Sequence, residues 1–589
     1  MRIFRSVVEL LVRSFRILKV YGLLYFIRRG WKYVKRRGWR NLFASEDINT
    51  QYQKWIHKRK AYYSEKPFNC SVVPVIGIMM PVNYTEHIRI QDSVKSILAQ
   101  DSPYWHLYLV TDDPTELGTK ESLVKQIKTD KRISIIWRSG ADVAGIVKKM
   151  TQVDYVLFMD VNDRLSSEAV ATFQKTLIKD RNLDLIYADE DTFDGVSGQR
   201  FNPVFKPGWS PHLLLSFNYI GHPVVLRKEL LEKVGKTVFF SNNWEYRILL
   251  SLTNLHVNAK RIPEMLCSRI SPADFIVNES EENHNSGYLA IKEALSKKGL
   301  HATVRFCPEM GIYATRLGIK EKEKISIIIP TKDNGKILQG CLESILEKSS
   351  YDNYEILIID NGSTDESTLI FLADIKKFDK IRVLSYLKEF NYPLVNNFGA
   401  ANAAGKHLVF LNDDTKVISS DWLEALLEYS QMQEVGAVGA LLLFPNGLIQ
   451  HAGIVIGMRG SASHAFYKYE ADKPGYLNLI QCVRNVSAVT AACMMIKAET
   501  FAKVGGFDPR FRLGMNDVDL CLRLLKMGLY NVYTPYAKLI HYESLTRNEY
   551  VDDNEIEMFK RLHCEFISNG DPYYHPELSL ERNDYSLAI

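Results

Sequence analysis

The sequence predicts an α/β fold in which one strand-and-helix pattern occurs twice in tandem, preceded by a basic amphipathic helical arm. Segments such as Ile90–Gln100 and Ser166–Lys179 are helical in pattern and alternate with apolar strands, which indicates parallel sheets covered by helices. A repeat on this scale indicates two domains of one fold, since 589 residues are too many for a single core. The repeat consists of three pairs of runs: Val75–Pro81 and Ile325–Pro330, Leu107–Asp113 and Glu355–Asp365, and Val156–Asp163 and Leu408–Thr415.

A few shared residues align the two copies. Pro81 is paired with Pro330, Asp112 with Asp360, and Phe158 with Phe410. The resulting boundaries give an N-terminal helical region (1–66), a first α/β domain (67–300), a linker (301–324), a second α/β domain (325–550) and a C-terminal helix with a polar tail (551–589). Strands of the second domain are predicted at 325–329, 355–359, 381–385, 407–411 and 435–443.

The N-terminal arm is strongly basic although the whole chain has a net charge of only +5. Residues 1–41 contain twelve Arg or Lys and a single acid, Glu9, with large apolar side chains interleaved. The longest uncharged run, Val20–Ile27, is far too short to span a membrane. This pattern favours an amphipathic helix on an anionic membrane surface; the alternative is a basic helix packed on the domain that follows. Nucleic acid is not indicated, because the basic excess ends with the arm.

Polar residues follow three strands of the second copy where each strand ends. These are Thr331 to Asp333, Asp360 to Asp365, and Asn412 to Thr415. Ligands of open α/β sheets bind beyond the carboxyl ends of the strands. None of the three loops is a Gly-rich phosphate loop, so neither dinucleotide binding nor a P-loop is indicated. Short carboxylates suit a ligand whose phosphates are held through Mg²⁺ or Mn²⁺, although each loop alone is also an ordinary turn.

Two further candidates lie near the end of the second copy. The apolar stripe of Val518, Cys521 and Leu522 predicts a helix with Asp517 in its first turn, where the helix dipole stabilises a carboxylate. Such an acid can also be a simple cap. His541 follows one strand later; a lone histidine is more often structural than a ligand, but its place after the acidic helix makes it a candidate.

As an ordered set, these motifs resemble the inverting family 2 glycosyltransferases with the GT-A fold, from Ile325 to about Arg547. The subgroup that the chain resembles builds O-antigen, capsule and other bacterial polysaccharides, often with tandem domains, and includes rhamnosyltransferases. The tail Asp571–Leu587 is also similar to that subgroup. The motifs include Phe390–Gly405, Gln450–Gly457, Ala488–Lys497 and Asn516–Leu524.

The resemblance implies a role for each candidate residue. Asp517 is expected to be the general base that takes the acceptor proton, and anomeric inversion follows from an in-line displacement. Asp414 and His541 are expected to hold Mg²⁺ or Mn²⁺. Acceptor contacts are expected from Asn516 and Asp519. The nucleotide sugar is expected to contact Thr331, Asp333, Asp360, Asn397 and Asp413.

The first copy departs from the same pattern. Asn162 aligns with Asp414, Asn243 with Asp517, and the run Cys267 to Arg269 lacks the histidine. The first domain is therefore interpreted as a degenerate transferase copy, kept for scaffolding or acceptor binding. Catalysis by both domains remains an alternative.

The resemblance implies that the chain moves a sugar from a nucleotide-diphosphate sugar to a lipid-linked or growing cell-surface polysaccharide. It would act in the cytoplasm, peripherally on the inner face of the cell membrane. The alternatives are a bifunctional enzyme with two active domains and a non-catalytic glycan-binding or assembly scaffold. A nucleotidyltransferase is less favoured, because no Gly-rich signature with a following lysine opens the first strand.

Deletion of residues 1–41 is expected to release the protein from membranes, because these residues carry the basic and apolar side chains that face the lipid. Membrane partitioning of the truncated and full-length chains would be compared by flotation with anionic vesicles. Unchanged partitioning of a folded truncated protein would exclude the lipid-binding arm.

Overall fold

The computed structural model describes residues 48–59, 72–82, 90–112, 129–195, 197–234, 243–271, 281–542 and 552–588. The basic arm therefore lies outside the described residues. Helix α1 (Ile48–Arg59) belongs to a separate unit, in which Tyr52 and Trp55 stack with ring centroids 5.5 Å apart. Among the helices that the structure describes, none combines the length and the apolar character needed to cross a membrane.

The first sheet contains nine strands within the described residues. Its strands are β1 (Ile76–Pro81), β2 (Trp105–Thr111), β3 (Ile133–Trp137), β4 (Tyr155–Phe158), β5 (Asp163–Leu165), β6 (Leu185–Asp194), β7 (Arg200–Val204), β8 (Val224–Arg227) and β9 (Ala259–Ser271). Its helices are α2 (Ile90–Leu98), α3 (Val143–Lys149), α4 (Ala169–Lys179), α5 (Lys228–Lys233), α6 (Trp244–Leu252) and α7 (Glu281–Lys297).

The predicted linker is not irregular. It forms an antiparallel hairpin of β10 (Ala302–Cys307) and β11 (Ile312–Leu317), which the weak periodicity of 301–324 did not predict. The hairpin contacts both domains: the Thr315 hydroxyl donates to the Leu215 carbonyl at 2.8 Å, and Arg316 pairs with Glu428 at 2.6 Å. The hairpin is thus part of the interface between the two sheets.

The second sheet contains ten strands in the described part of the chain. The strands that follow β11 are β12 (Ile325–Thr331), β13 (Tyr354–Asp360), β14 (Ile381–Ser385), β15 (His407–Leu411), β16 (Thr415–Val417), β17 (Val435–Leu443), β18 (Ile449–His451), β19 (Ile454–Ile456), β20 (Ala462–His464), β21 (Arg484–Val486), β22 (Cys493–Lys497) and β23 (Tyr530–His541), of which β19 and β20 pair separately. Its helices are α8 (Gly335–Lys348), α9 (Glu366–Asp374), α10 (Tyr392–Ala401), α11 (Trp422–Ser430), α12 (Ala498–Lys503) and α13 (Asn516–Lys526), followed by α14 (Asp553–Leu562) and α15 (Cys564–Asn569).

The five strands predicted for the second domain all form. Strands β14, β15 and β17 have the predicted bounds, and β12 and β13 extend further, so that Thr331 and Asp360 are the last strand residues. Every residue of β12, β13 and β15 is buried. Strands covered on both faces are read in sequence as continuous apolar runs, which is why these strands were predictable.

Both sheets have the same strand order. The first is β3-β2-β1-β4-β8-β6-β9-β5 and the second is β14-β13-β12-β15-β22-β17-β23-β16. The pairing senses also match: in each sheet the first three contacts are parallel and the fourth, β4 with β8 or β15 with β22, is antiparallel. The register of hydrogen-bonded strands therefore gives a residue-by-residue correspondence between the two sheets.

The C-terminal tail was expected to be polar, but it packs into the interface between the sheets. Its His575 is buried and its Nε2 lies 2.6 Å from Oδ2 of Asp189 in β6. Arg261 of β9 donates to the Tyr574 carbonyl at 3.2 Å. Tyr585 stacks on Phe466 with ring centroids 4.5 Å apart. The tail thus binds to both domains, and several of its polar residues, His575 among them, are buried and paired.

Gly208 is predicted to be sensitive to any added side chain, because a Cβ there would lie 1.9 Å from the Pro572 carbonyl oxygen of the tail. Gly208→Ala is expected to lower the free energy of unfolding by about 2 kcal/mol, the usual cost of overpacking. The matched control is Gly340→Ala on α8, where an added Cβ meets nothing within 4 Å. Urea unfolding compares the two variants; equal stability would mean that the tail does not pack against Gly208.

Candidate active site

Strands β12 and β13 bring two of the predicted polar loops together. Thr331 and Asp360 are direct neighbours in the parallel register of these strands. The Thr331 hydroxyl also donates to Oδ2 of Asp413 at 2.8 Å, and the Asn334 amide donates to the same oxygen at 3.3 Å. All three predicted loops therefore meet at the carboxyl edge of the second sheet, as expected from the strand ends.

Two of these acids also hold the loops in shape. Oδ1 of Asp360 accepts from the Ser363 amide at 2.9 Å and from its hydroxyl at 2.7 Å. Oδ1 of Asp333 accepts from the amides of Asp365 and Thr364, and these hydrogen bonds hold the pKa of the exposed Asp333 below its usual range. The loop that begins at Asp360 is thus fixed from both sides.

Asp414 and His541 come together because β16 pairs with β23, with Thr415 opposite His541. The distance from His541 Nε2 to Asp414 Oδ1 is 3.0 Å. The other ring nitrogen, Nδ1, lies 2.6 Å from the Gln450 side-chain oxygen, which can only accept. Nδ1 can therefore donate to Gln450, which leaves Nε2 as the ring nitrogen that faces Asp414 and that a metal ion would bind.

This donor set fits a hard divalent cation bound together with a phosphate ligand. One carboxylate and one imidazole come from the protein, and the described residues provide no cluster of three or more metal-ligating side chains. Mg²⁺ and Mn²⁺ sites of this kind take the remaining ligands from substrate phosphates and water. The residues present therefore suit a metal that binds with a diphosphate.

Asp517 lies in the first turn of α13, as its sequence pattern predicts. Its side chain is half-buried, and Oδ2 accepts from the Ala491 amide at 3.1 Å. The neighbouring Ala492 carbonyl accepts from the Asn412 amide at 3.1 Å, so the same short segment contacts the loop that carries Asp413 and Asp414. Asp517 is thereby fixed relative to the acids at the strand ends.

Three sequence-predicted contacts take different positions. Asp519 is buried, with Oδ1 2.8 Å from His563 and Oδ2 2.8 Å from Arg523, so it holds α13 against the C-terminal segment rather than facing an acceptor. Asn516 is also buried and donates to the Phe511 carbonyl at 3.4 Å. The Asn397 amide pairs with both the N–H and the carbonyl of Phe507, which orients it toward that loop rather than toward a donor.

Gln450 is a site residue that the sequence analysis did not single out. It lies in the motif Gln450–Gly457, yet only the fold shows that its side chain orients His541. The adjacent His451 is buried, and its Nδ1 lies 2.8 Å from Nδ1 of His464. Burial and the nearby His464 hold the pKa of His451 well below its usual range. Successive side chains of a strand point to opposite faces of the sheet, so Gln450 and His451 of β18 face opposite sides.

The strand register corrects two alignments between the copies. Val110 pairs with Pro81 in the first sheet, as Ile359 pairs with Pro330 in the second. The next residue along, Thr111, therefore corresponds to Asp360. Asp112 instead forms a bidentate pair with Arg138 at 2.6 Å. Helices α6 and α13 both begin after a left-handed cap, Asn243 with φ 63° and Met515 with φ 60°. Glu245, not Asn243, therefore corresponds to Asp517, and the first domain retains a carboxylate there.

The chain was compared with known proteins. The glycosyl transferase family 2 model matches residues 326–504. The O-antigen biosynthesis protein RfbC of Myxococcus xanthus is 32% identical over 525 residues, 87% of this chain and 41% of that protein. The protein y4gI of Sinorhizobium fredii is 31% identical over 536 residues, 87% of this chain and 59% of the relative. This chain therefore spans only part of the length of either relative.

A shorter relative matches a smaller share of the chain. An N-acetylglucosaminyl-diphospho-decaprenol L-rhamnosyltransferase of Mycobacterium tuberculosis is 27% identical over 241 residues. The match covers 37% of this chain and 76% of that protein.

Asp519 and Asp517 are predicted to differ sharply in their effect on stability. Asp519→Asn is expected to lower the free energy of unfolding by about 3 kcal/mol, because it removes one partner of a buried ion pair. Asp517→Asn, two residues away on the same helix, is expected to change it by less than about 1 kcal/mol. Urea unfolding at neutral pH measures both, and similar losses would contradict the structural role given to Asp519.

Proposed function

We propose, from the match of residues 326–504 to the glycosyl transferase family 2 model, that the second domain transfers a sugar from a nucleotide-diphosphate sugar to an acceptor hydroxyl. The observation that carries the proposal is the convergence at one sheet edge of the strand-end acids, a carboxylate–imidazole pair and a separately anchored carboxylate. Together these groups match what the transfer needs, which is a held diphosphate and a base.

The nucleotide part of the donor would lie against the ends of β12 and β13. Thr331, Asp360 and Asp413 offer one hydroxyl and two carboxylates there, and Asp333 lies at the rim of the same loops. Carboxylates accept hydrogen bonds from ribose hydroxyls and from base N–H groups. The order of these residues along the sheet edge would set the donor with its diphosphate toward Asp414.

Asp414 and His541 would hold the metal ion, with Gln450 keeping the His541 lone pair directed at it. A bound Mg²⁺ or Mn²⁺ would neutralise the charge that develops on the departing nucleoside diphosphate.

Asp517 is the proposed general base. The backbone amides of Ala491 and Val518 donate to its two carboxylate oxygens and hold them in place. It would accept the proton of the acceptor hydroxyl as that oxygen attacks the anomeric carbon, while the diphosphate leaves from the opposite face. Inversion at the anomeric carbon follows from this geometry.

The acceptor is proposed to be a lipid-linked or growing cell-surface polysaccharide. Support comes from two similar proteins, one named as an O-antigen biosynthesis protein and the other as a rhamnosyltransferase that acts on a diphospho-decaprenol glycan. An acceptor of this kind would place the protein at the inner face of the cell membrane, where the basic arm of residues 1–41 would contact lipid.

Asp517→Asn is expected to lower turnover by about 10²–10⁴-fold, the usual contribution of a general base, while leaving donor binding unchanged. Nucleoside diphosphate release by the full chain with Mn²⁺ would be measured over a panel of nucleotide sugars, and donor binding by calorimetry. The control is Asp352→Asn, which alters a carboxylate that is 74% exposed.

Normal turnover of Asp517→Asn would disprove the base assignment. Donor binding without release in the wild-type chain, even with membrane lipid extract as an acceptor source, would favour the glycan-binding scaffold over the transferase.

A further inference from the structure

The first domain has an arginine where the second domain has its candidate metal-binding histidine. In the second sheet Thr415 pairs with His541, and in the first sheet Asp163 pairs with Arg269 at the equivalent antiparallel contact. The Arg269 side chain is 54% exposed at this edge, and its Nε lies 3.4 Å from Oδ1 of Asp163. A guanidinium thus occupies the position from which an imidazole faces the metal site.

His222 provides a second cation next to Arg269. Val224 pairs with Phe158 as Met494 pairs with Phe410, so His222 corresponds to Ala492 of the second domain. The His222 ring is buried, with Nδ1 2.5 Å from Asp163 Oδ2 and Nε2 2.7 Å from Glu245 Oε2. The His222 imidazole therefore lies between Asp163 and Glu245, the carboxylate that corresponds to Asp517.

The cations and carboxylates of this group are paired with one another. Burial works against a charge on His222, but Glu245 and Asp163 outweigh it and raise the pKa of His222 well above its usual range. Burial also opposes the charge on Asp163, and His222 with Arg269 holds the pKa of that carboxyl below its usual range. Lys206, which donates to the His222 carbonyl at 2.6 Å, and Glu190 add one further pair.

We infer that the first domain takes no divalent metal ion, because Arg269 and His222 are its resident cations at the place where the second domain has metal ligands. A divalent cation placed there would lie within a few ångströms of two fixed positive charges, and that repulsion is strong in a partly buried site. It would also face the neutral amide of Asn162, where the second domain has Asp414.

The inference explains what the first domain retains. Glu245 stands where the second domain has its proposed base, Asp517, but the His222 ring contacts the Glu245 carboxylate. The alternative of two active domains therefore lacks a metal site in the first domain. The inference does not depend on the transferase proposal, since metal binding is measured here without donor or turnover.

The test converts the ligands of the first site into those of the second and measures Mn²⁺ binding to the full chain by electron paramagnetic resonance of the free ion. Asp414→Asn with His541→Ala first removes the second-domain pair. In that background, Asn162→Asp, His222→Ala and Arg269→His are combined. One new Mn²⁺ site is expected, tighter than the background by about tenfold or more, with Asp163 as an additional carboxylate.

The matched control has Arg269→Lys in place of Arg269→His, which keeps a cation at the position and is expected to bind no Mn²⁺. Circular dichroism checks that each variant is folded. Should the combined variant unfold, Arg269→His with Asn162→Asp is compared with Arg269→Lys with Asn162→Asp in the same background, because this exchange removes one of the two cations at a side chain that is more than half exposed. Tighter Mn²⁺ binding by Arg269→His than by Arg269→Lys is expected there too.

Either of two results would overturn the inference. In the first, the background protein binds one Mn²⁺ and Glu245→Gln weakens that binding. The second is equal Mn²⁺ affinity of the folded histidine and lysine variants.

Discussion

In each sheet a three-residue strand pairs with the end of the long C-terminal strand. This antiparallel pairing decides which side chain lies beside the acidic loop of each domain. In the second sheet this is β16 with β23, and in the first it is β5 with β9. The short strand follows directly after the acidic loop, so the residue opposite it is held within contact of that loop whatever its identity. His541 occupies this place in the second domain, and Arg269 occupies it in the first.

One scaffold therefore supports two electrostatic solutions. The second domain places a carboxylate and an imidazole 3.0 Å apart, an arrangement that suits a shared cation. The first domain supplies the cations itself, through Arg269 and His222, and satisfies the buried Asp163 in doing so. Fold similarity alone would have assigned both domains the same chemistry, whereas the side chains at one register position distinguish them.

The two sheets are joined by paired polar contacts in the interior. Asn485 of β21 bonds the Ser210 hydroxyl at 2.9 Å and the ring of buried His212, and the tail adds the His575–Asp189 pair at 2.6 Å. Buried polar groups are costly unless each has its partner, so such an interface favours one relative arrangement of the domains. The first domain can then affect the second through a fixed contact, even without transfer chemistry of its own.

The sequence by itself determined the strands, the acidic loops and the start of α13, because these depend on local patterns. Buried strands appear as apolar runs, and turn residues mark their ends, so β14, β15 and β17 were predicted with their observed bounds. The linker hairpin and the buried tail were missed, because their strands and polar residues are stabilised by distant partners such as Leu215 and Asp189.

Tertiary structure alone decided which residues meet. Gln450 with His541, and Asp519 with His563, are contacts between segments far apart in sequence. The correspondence of Glu245 with Asp517 was likewise hidden, because it depends on left-handed caps at Asn243 and Met515 that follow loops of different length. Local patterns specify elements, but the register between elements is set by long-range hydrogen bonding and packing, which a single sequence does not display.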